Sequence, residues 1–242
     1  MKIRKEGTDE VQMRRRGIFN GLLVGSIVVL LSGCTVASDI DFSDSDEAKE
    51  AMNTATNLII EGDLDNVNQA GDILADNQIA GFLEESGMIN TKWTVSVNEE
   101  SWFYLKFVTD EDINNKDNAS TTYGYYDSDD NCLGYAQLQY LENEDDDYSY
   151  YLIFMDENGK EKDYYASEDG DILYDSKGDE IGKGVAKQER KDSSKCYVEI
   201  DTDRDSEVDL VVKMAMYLKL YTDLNEEYTN TNILDVPMSD SK

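Results

Sequence analysis

Between positions 208 and 224 the chain carries a helical pattern with too few polar positions to lie on a surface. Leu210, Val211, Met214, Tyr217, Leu218 and Tyr221 recur at three- and four-residue spacing and fill an apolar arc of roughly half the circumference. Val212, Met216 and Leu220 add apolar groups among the polar positions Asp209, Lys213 and Lys219. A helix this apolar needs cover on most sides, so the rest of the chain must build an enclosure for it. Ser206, with Asp209 three residues on, offers a cap for its start. Residues 229–242, which contain Pro237, the only proline, read as a flexible tail.

The enclosure reads as β structure. After Asn90, Trp93, Val95 and Val97 alternate with Lys92, Thr94 and Ser96, and residues 98–101 turn the chain into a second strand running to Val108. Tyr-, Leu- and Ile-rich runs follow near 121–126, 132–141, 148–155, 160–165, 171–174, 180–188 and 195–201. Turn clusters such as Asp156-Glu157-Asn158-Gly159 and Asp175-Ser176-Lys177-Gly178 separate several of them. One internal repeat is visible: Tyr126-Asp127-Ser128, Leu133-Gly134 and Ala136 return 48 residues later as Tyr174-Asp175-Ser176, Ile181-Gly182 and Gly184. Ahead of the strands, Ala48, Ala51, Met52, Ala55, Leu58 and Ile59 predict an amphipathic helix from Ser45 that stops at Gly62. Leu64, Val67, Ala70 and Leu74, then Ile79, Phe82 and Leu83 with Gly87 as C-cap, predict two more short helices. The expected fold is α+β: a helical segment over 44–90, then a domain over 91–228 in which an antiparallel meander or barrel packs around the apolar C-terminal helix.

The N-terminus carries a different message. Lys2, Arg4, Lys5, Arg14, Arg15 and Arg16 precede an uncharged apolar run of 15 residues, 17–31, shorter than the roughly 20 needed to span a bilayer. The run ends in Leu31-Ser32-Gly33-Cys34, which resembles the lipobox of bacterial lipoproteins. That resemblance implies a signal peptide over 1–33, cleavage between Gly33 and Cys34, and a diacylglyceryl thioether on Cys34. Residues 34–43 then form a polar tether. Two acyl chains hold a protein on a membrane without a spanning helix, so the expected location is the extracytoplasmic face of a cell membrane.

Cleavage there leaves 16 of the 22 Lys and Arg and 50 of the 53 Asp and Glu, about −34 over 209 residues. Such a charge opposes nucleic acid, whose phosphates need Lys and Arg to neutralise them, and favours cationic partners, bound cations or plain solubility. The absence of histidine removes Ser-His-Asp and Cys-His nucleophile pairs and the usual zinc ligands. Asp201, Asp203 and Asp205 resemble the opening of a calcium loop with Asp209 at its ninth position, although Ser206 and Val212 stand where an EF-hand has Gly and Glu. Tyrosines crowd the strand-forming region, and Tyr123, Tyr125, Tyr148 and Tyr150 beside Asp and Asn are candidates for an exposed face that binds a protein or a glycan. Cys132 and Cys196 are either two free thiols or, in an oxidising envelope, one disulfide.

The stretch Leu173-Tyr174-Asp175-Ser176-Lys177-Gly178-Asp179-Glu180-Ile181-Gly182, continued by Cys196-Tyr197-Val198-Glu199-Ile200 and the apolar helix, resembles the tubby C-terminal-like group and within it the LURP-one-related and scramblase branch. The resemblance spans residues 91–224 and implies a closed antiparallel barrel of about twelve strands wrapped around the C-terminal helix; about nine strands are legible here. Some members bind phosphoinositide headgroups through basic residues, and no basic cluster of this chain matches them, so that activity does not transfer. The expected function is a lipid-anchored, non-enzymatic interaction module for an envelope protein or glycan. A calcium-stabilised structural lipoprotein and a carboxylate-dependent enzyme are the alternatives.

Overall fold

The computed structural model describes residues 39–65, 70–87, 91–108, 122–142, 148–190 and 193–234. Among them one short helix, α1 (Ser45–Thr54), precedes twelve strands. These are β1 (Asn57–Asp63), β2 (Ala70–Ala75), β3 (Gln78–Ser86), β4 (Lys92–Val97), β5 (Glu100–Phe107), β6 (Thr122–Asp127), β7 (Cys132–Glu142), β8 (Tyr148–Asp156), β9 (Glu161–Ser167), β10 (Ile172–Asp175), β11 (Glu180–Gln188) and β12 (Lys195–Thr202), followed by α2 (Leu210–Leu234). Every strand pairs antiparallel with its neighbour in sequence, and β1 pairs with β12 along the full register from Asn57 opposite Asp201 to Asp63 opposite Lys195. That last pairing closes the sheet into a barrel and leaves no edge strand open.

The helix that demanded cover receives it. Val212, Met214, Ala215, Met216 and Leu218 are fully buried, and Tyr217 is 1% exposed. The inner face of the wall meets them with Leu58, Ile60, Ile73, Val95, Leu105, Leu152, Leu173, Val198 and Ile200, all essentially inaccessible to solvent. Each apolar side chain so removed from water contributes about 1.5–3 kcal/mol. α1 adds Ala48 and Met52 to the same core.

The segment 44–90 is the main departure from the sequence reading. Among its described residues only Ser45–Thr54 is helical, capped by the Asp44 carboxylate, which accepts the Asp46 and Glu47 backbone N–H groups. Leu58 and Ile59 belong to β1, and the two further helices expected here are instead β2 and β3. Two physical reasons account for the error. Asp76 and Asn77 both adopt positive φ, 48° and 71°, which makes a two-residue hairpin turn that no helix can contain. A bulge between Ile73 and Leu74 leaves Ala80 without a cross-strand partner, so the outward residues Ile79 and Phe82 fall three apart and imitate a helical period. Gly71 is also required where it stands, since a Cβ there would lie 1.9 Å from the Glu61 carbonyl oxygen.

Smaller corrections concern the ends. α2 starts at Leu210, and the Asp209 carbonyl accepts the N–H groups of Val212 and Lys213, so Asp209 rather than Ser206 occupies the cap position. The helix continues to Leu234, six residues into the expected tail, while residues 235–242 lie outside the described residues. Residues 39–43, assigned to the tether, are docked: Ile40 and Phe42 pack on the core, and Asp41 exchanges hydrogen bonds with the Ile79 backbone at 2.8 Å.

The turns explain how a strongly acidic chain makes so many tight hairpins. After β6, β8 and β10, an aspartate at the strand end (Asp127, Asp156, Asp175) accepts the backbone N–H groups two and four residues on at 2.8–2.9 Å. The residue three positions on takes positive φ: Asp130, Gly159 and Gly178. Bonding to the ionised carboxylate lowers the pKa of all three: mainly the Asn131 side chain for Asp127, the Lys160 N–H for Asp156 and the Asp179 N–H for Asp175. A carboxylate whose native pKa is depressed stabilises the fold fully above its unfolded value, about 3.9, and that contribution fades as pH falls through the lower native values. Replacing all three by Asn keeps an acceptor oxygen but removes the titration. Urea unfolding between pH 5 and pH 2 is therefore predicted to show a shallower acid loss in the triple variant, and identical acid profiles would contradict this role.

Candidate functional site

Among the described residues a concavity lies at one mouth of the barrel, where the C-terminus of α1 meets the segment joining β12 to α2. It is a cleft of about 480 Å³ lined by Thr56, Thr202, Arg204, Ser206, Asp209 and Lys213 among others. Lys213 forms its floor. Its side chain is only 2% exposed, and Nζ donates to the Ala55 carbonyl at 2.6 Å and the Asn53 carbonyl at 3.4 Å. These are carbonyls left over at the end of α1, which a cation satisfies in both hydrogen bonding and charge. Burial lowers the Lys213 pKa, and the nearby Asp76 and Asp209 carboxylates oppose that shift.

The other polar groups of the mouth are also committed. Asp209 accepts from Lys162 Nζ and, at 2.8 Å, from the Tyr164 hydroxyl, whose pKa rises through burial and this bond. Asp76 accepts the Asn57 N–H at 3.0 Å and the Thr56 hydroxyl at 3.4 Å. Lysine and carboxylates here fasten α1, the hairpin turn of β2 and β3, β9 and α2 to one another. None of Lys213, Lys162, Tyr164 or Asp76 was singled out from the sequence as a site residue, because the contacts that unite them span up to 160 positions.

The structure disperses most of the sequence-derived candidates. Asp201 is still within β12, exposed and bonded to the Asn57 side chain at 2.6 Å, and Asp203 and Asp205 lie exposed beyond the strand end. Among the described residues no group of three or more acidic or cysteine side chains converges to hold a metal. Tyr123 and Tyr125 point inward and are 7% and 1% exposed, which removes them from any partner-binding face. Tyr123 packs on Phe107 and Trp93, with ring centroids 4.8 and 6.4 Å away, and burial pushes its pKa up to about 12. Tyr150 is exposed at 43%; Tyr148 opens β8, and its side chain lies outside the described residues. Cys132 and Cys196 are free thiols. Four strands, β8 to β11, separate them around the wall, far more than the roughly 7 Å that a disulfide spans between Cα atoms. Cys196 is buried, with its pKa raised to about 12, mainly by desolvation. Gly33 and Cys34 lie outside the described residues.

Two tyrosine stacks on the outer wall were not foreseen. Tyr104 on β5 stands opposite Tyr126 on β6 with ring centroids 5.2 Å apart, and Tyr165 on β9 stands opposite Tyr174 on β10 at 5.3 Å. Tyr151 of β8 meets Tyr165 edge-on at 5.3 Å. The signal for them was strand parity: the neighbours of each pair, Leu105, Tyr125, Ala166 and Leu173, face inward, so these tyrosines must face out. No family model, curated protein or solved structure matches the chain.

The mouth yields a direct test of its joint. Lys213→Met removes the charged head but keeps most of the stem, relieving one buried charge while orphaning two α1 carbonyls. The second effect costs about 1–3 kcal/mol per group and is predicted to dominate. Denaturant melts should show a destabilisation of that order, together with faster hydrogen exchange at Ala55, whose N–H bonds to Ala51. Unchanged stability and exchange would show that Lys213 merely fills space.

Proposed function

We propose that this chain is a lipid-anchored extracytoplasmic protein whose barrel serves as a non-enzymatic interaction module for a partner in the cell envelope. The observation that carries the reading is the order of its parts: a basic segment, a short apolar run, Leu31-Ser32-Gly33-Cys34, and then a folded unit whose first docked residues begin at Ile40. Cleavage before Cys34 would leave about five residues between lipid and barrel, a reach of at most roughly 18 Å.

The arrangement of the barrel supports binding on its outside. Its interior is taken up by α2, so a ligand held in a lumen, as in lipid-carrying barrels, would have to displace the core. The wall is apolar inward and carries charge outward, as at Glu84, Lys106, Asp163 and Lys183, the reverse of a barrel that faces lipid. Among the described residues no helix is long and apolar enough to cross a membrane. Twelve strands around a C-terminal helix also match the architecture implied by the tubby-like resemblance, which supports that reading of the fold and lends no activity to it.

The anchoring half of the proposal is testable in a bacterial host. The full chain is predicted to incorporate radiolabelled fatty acid and to fractionate with membranes after processing, and Cys34→Ala to lose the label and remain unprocessed. Normal maturation and location of Cys34→Ala, or failure of the native chain to take up label, would overturn it.

A further inference from the structure

The internal repeat extends from sequence to architecture, and its two copies differ at one place on the outer wall. Tyr126 and Tyr174 correspond through the repeat, and each stacks on the tyrosine opposite it on the preceding strand. The registers carry the correspondence further. In the first copy Thr94 lies opposite Tyr104 and Lys92 opposite Lys106; in the second Ile153 lies opposite Tyr165 and Tyr151 opposite Ser167. Strands β4, β5 and β6 thus map onto β8, β9 and β10, with Lys92 matched by Tyr151 and Lys106 by Ser167.

The first copy is closed by its own side chains. Lys92 Nζ lies 3.4 Å from the Tyr104 ring centroid and Lys106 Nζ 4.5 Å from that of Tyr126, both cation–π contacts. Asp130 accepts the Tyr104 hydroxyl at 2.7 Å, and the two rings are 7% and 8% exposed. In the second copy both lysines are gone, and Gly178 replaces Asp130 with no side chain to reach the Tyr165 hydroxyl. Tyr151, Tyr165 and Tyr174 are all half-buried, and among the described residues no lysine or arginine lies over their rings. Asp163 stands two residues from Tyr165 on the same face, and Glu180 opposite Tyr174. Lys183, the basic group beside them, is already paired with Glu180 at 2.9 Å.

We propose that the Tyr151, Tyr165 and Tyr174 face of β8 to β10 is a seat for lysine or arginine side chains of a basic segment of a partner protein: Tyr151 fills the place of Lys92, and the partner supplies from outside the cation that Lys106 supplies internally at the first copy. This names the partner class for the interaction module and rests on that reading. A net charge of −31 draws such a segment toward the barrel, and the rings fix where it lands. A sugar ring could stack on tyrosine too, but the sealed copy shows these rings seating cations, and the neighbouring carboxylates favour positive charge over a neutral glycan.

The test is fluorescence anisotropy of a labelled hexa-arginine peptide titrated with the full chain in neutral detergent at 150 mM salt. The Tyr165→Leu, Tyr174→Leu pair is expected to weaken binding about tenfold, and the Tyr165→Phe, Tyr174→Phe pair, which keeps both ring faces, to bind within twofold of the native chain. Circular dichroism melts establish that each variant is folded, and the Phe pair remains decisive even where the Leu pair fails to fold. Equal affinity of a folded Leu pair would reduce the attraction to bulk charge and overturn the seat. So would loss of binding in the Phe pair, absence of saturable binding by the native chain, or competition by neutral chitohexaose at the same face. Repeating the titration on Cys34→Ala separates the two proposals: the seat predicts unchanged peptide affinity, whatever becomes of the lipid anchor.

Discussion

The structure depends on one exchange: a helix too apolar for water is taken inside a sheet that closes on itself. α2 supplies Val212, Met214, Ala215, Met216, Tyr217 and Leu218 to the barrel axis, and all twelve strands supply the wall. Neither partner is viable alone. Without the helix, the inner faces of the strands would surround a void that packing does not tolerate; without closure, β1 and β12 would present unpaired edges. The mouth follows from the same need, because α1 lies over one end of the core and the buried Lys213 ties its last carbonyls to the helix that fills the barrel.

Filling the interior decides where recognition can occur. Tyrosines split by parity into two populations with different work. Inward ones such as Tyr123 and Tyr125 are core, as is Tyr217 of α2, with phenolic pKa values raised chiefly by desolvation. Outward ones form the two cross-strand stacks, one sealed by lysines and one open. The heavy acidic load sits largely on the outside and in the turns, where aspartates act as backbone acceptors.

Much of this was legible in the residues, for reasons that can be named. Strands such as β4 and β12 alternate cleanly because one face is buried and the other is wet, and the turns after position 90 carry Asp and Gly where the backbone requires them. The character of α2 was legible because its period is unbroken across its core-facing turns. The segment from 57 to 86 misled because a bulge at Ala80 shifts its period from two toward three, and because single apolar residues at such spacing fit either element. Tyr123 and Tyr125 were misassigned for a related reason: composition marks a strand as aromatic, but only register against a known inward neighbour tells which face each ring takes. Lys213 and its partners were invisible because a joint between residues 158 positions apart leaves no local pattern.

The central claim is that α2 and the wall form one cooperative core. Native-state hydrogen exchange of the full chain in detergent, read at the amides of residues 212–220 against those of β1 and β12, tests it most directly. The account predicts that all of these exchange only through global unfolding, with free energies equal to that from chemical denaturation. Helix amides that exchange through a lower-energy opening while the strands stay protected would mean that the helix leaves a barrel able to stand without it, contradicting the account.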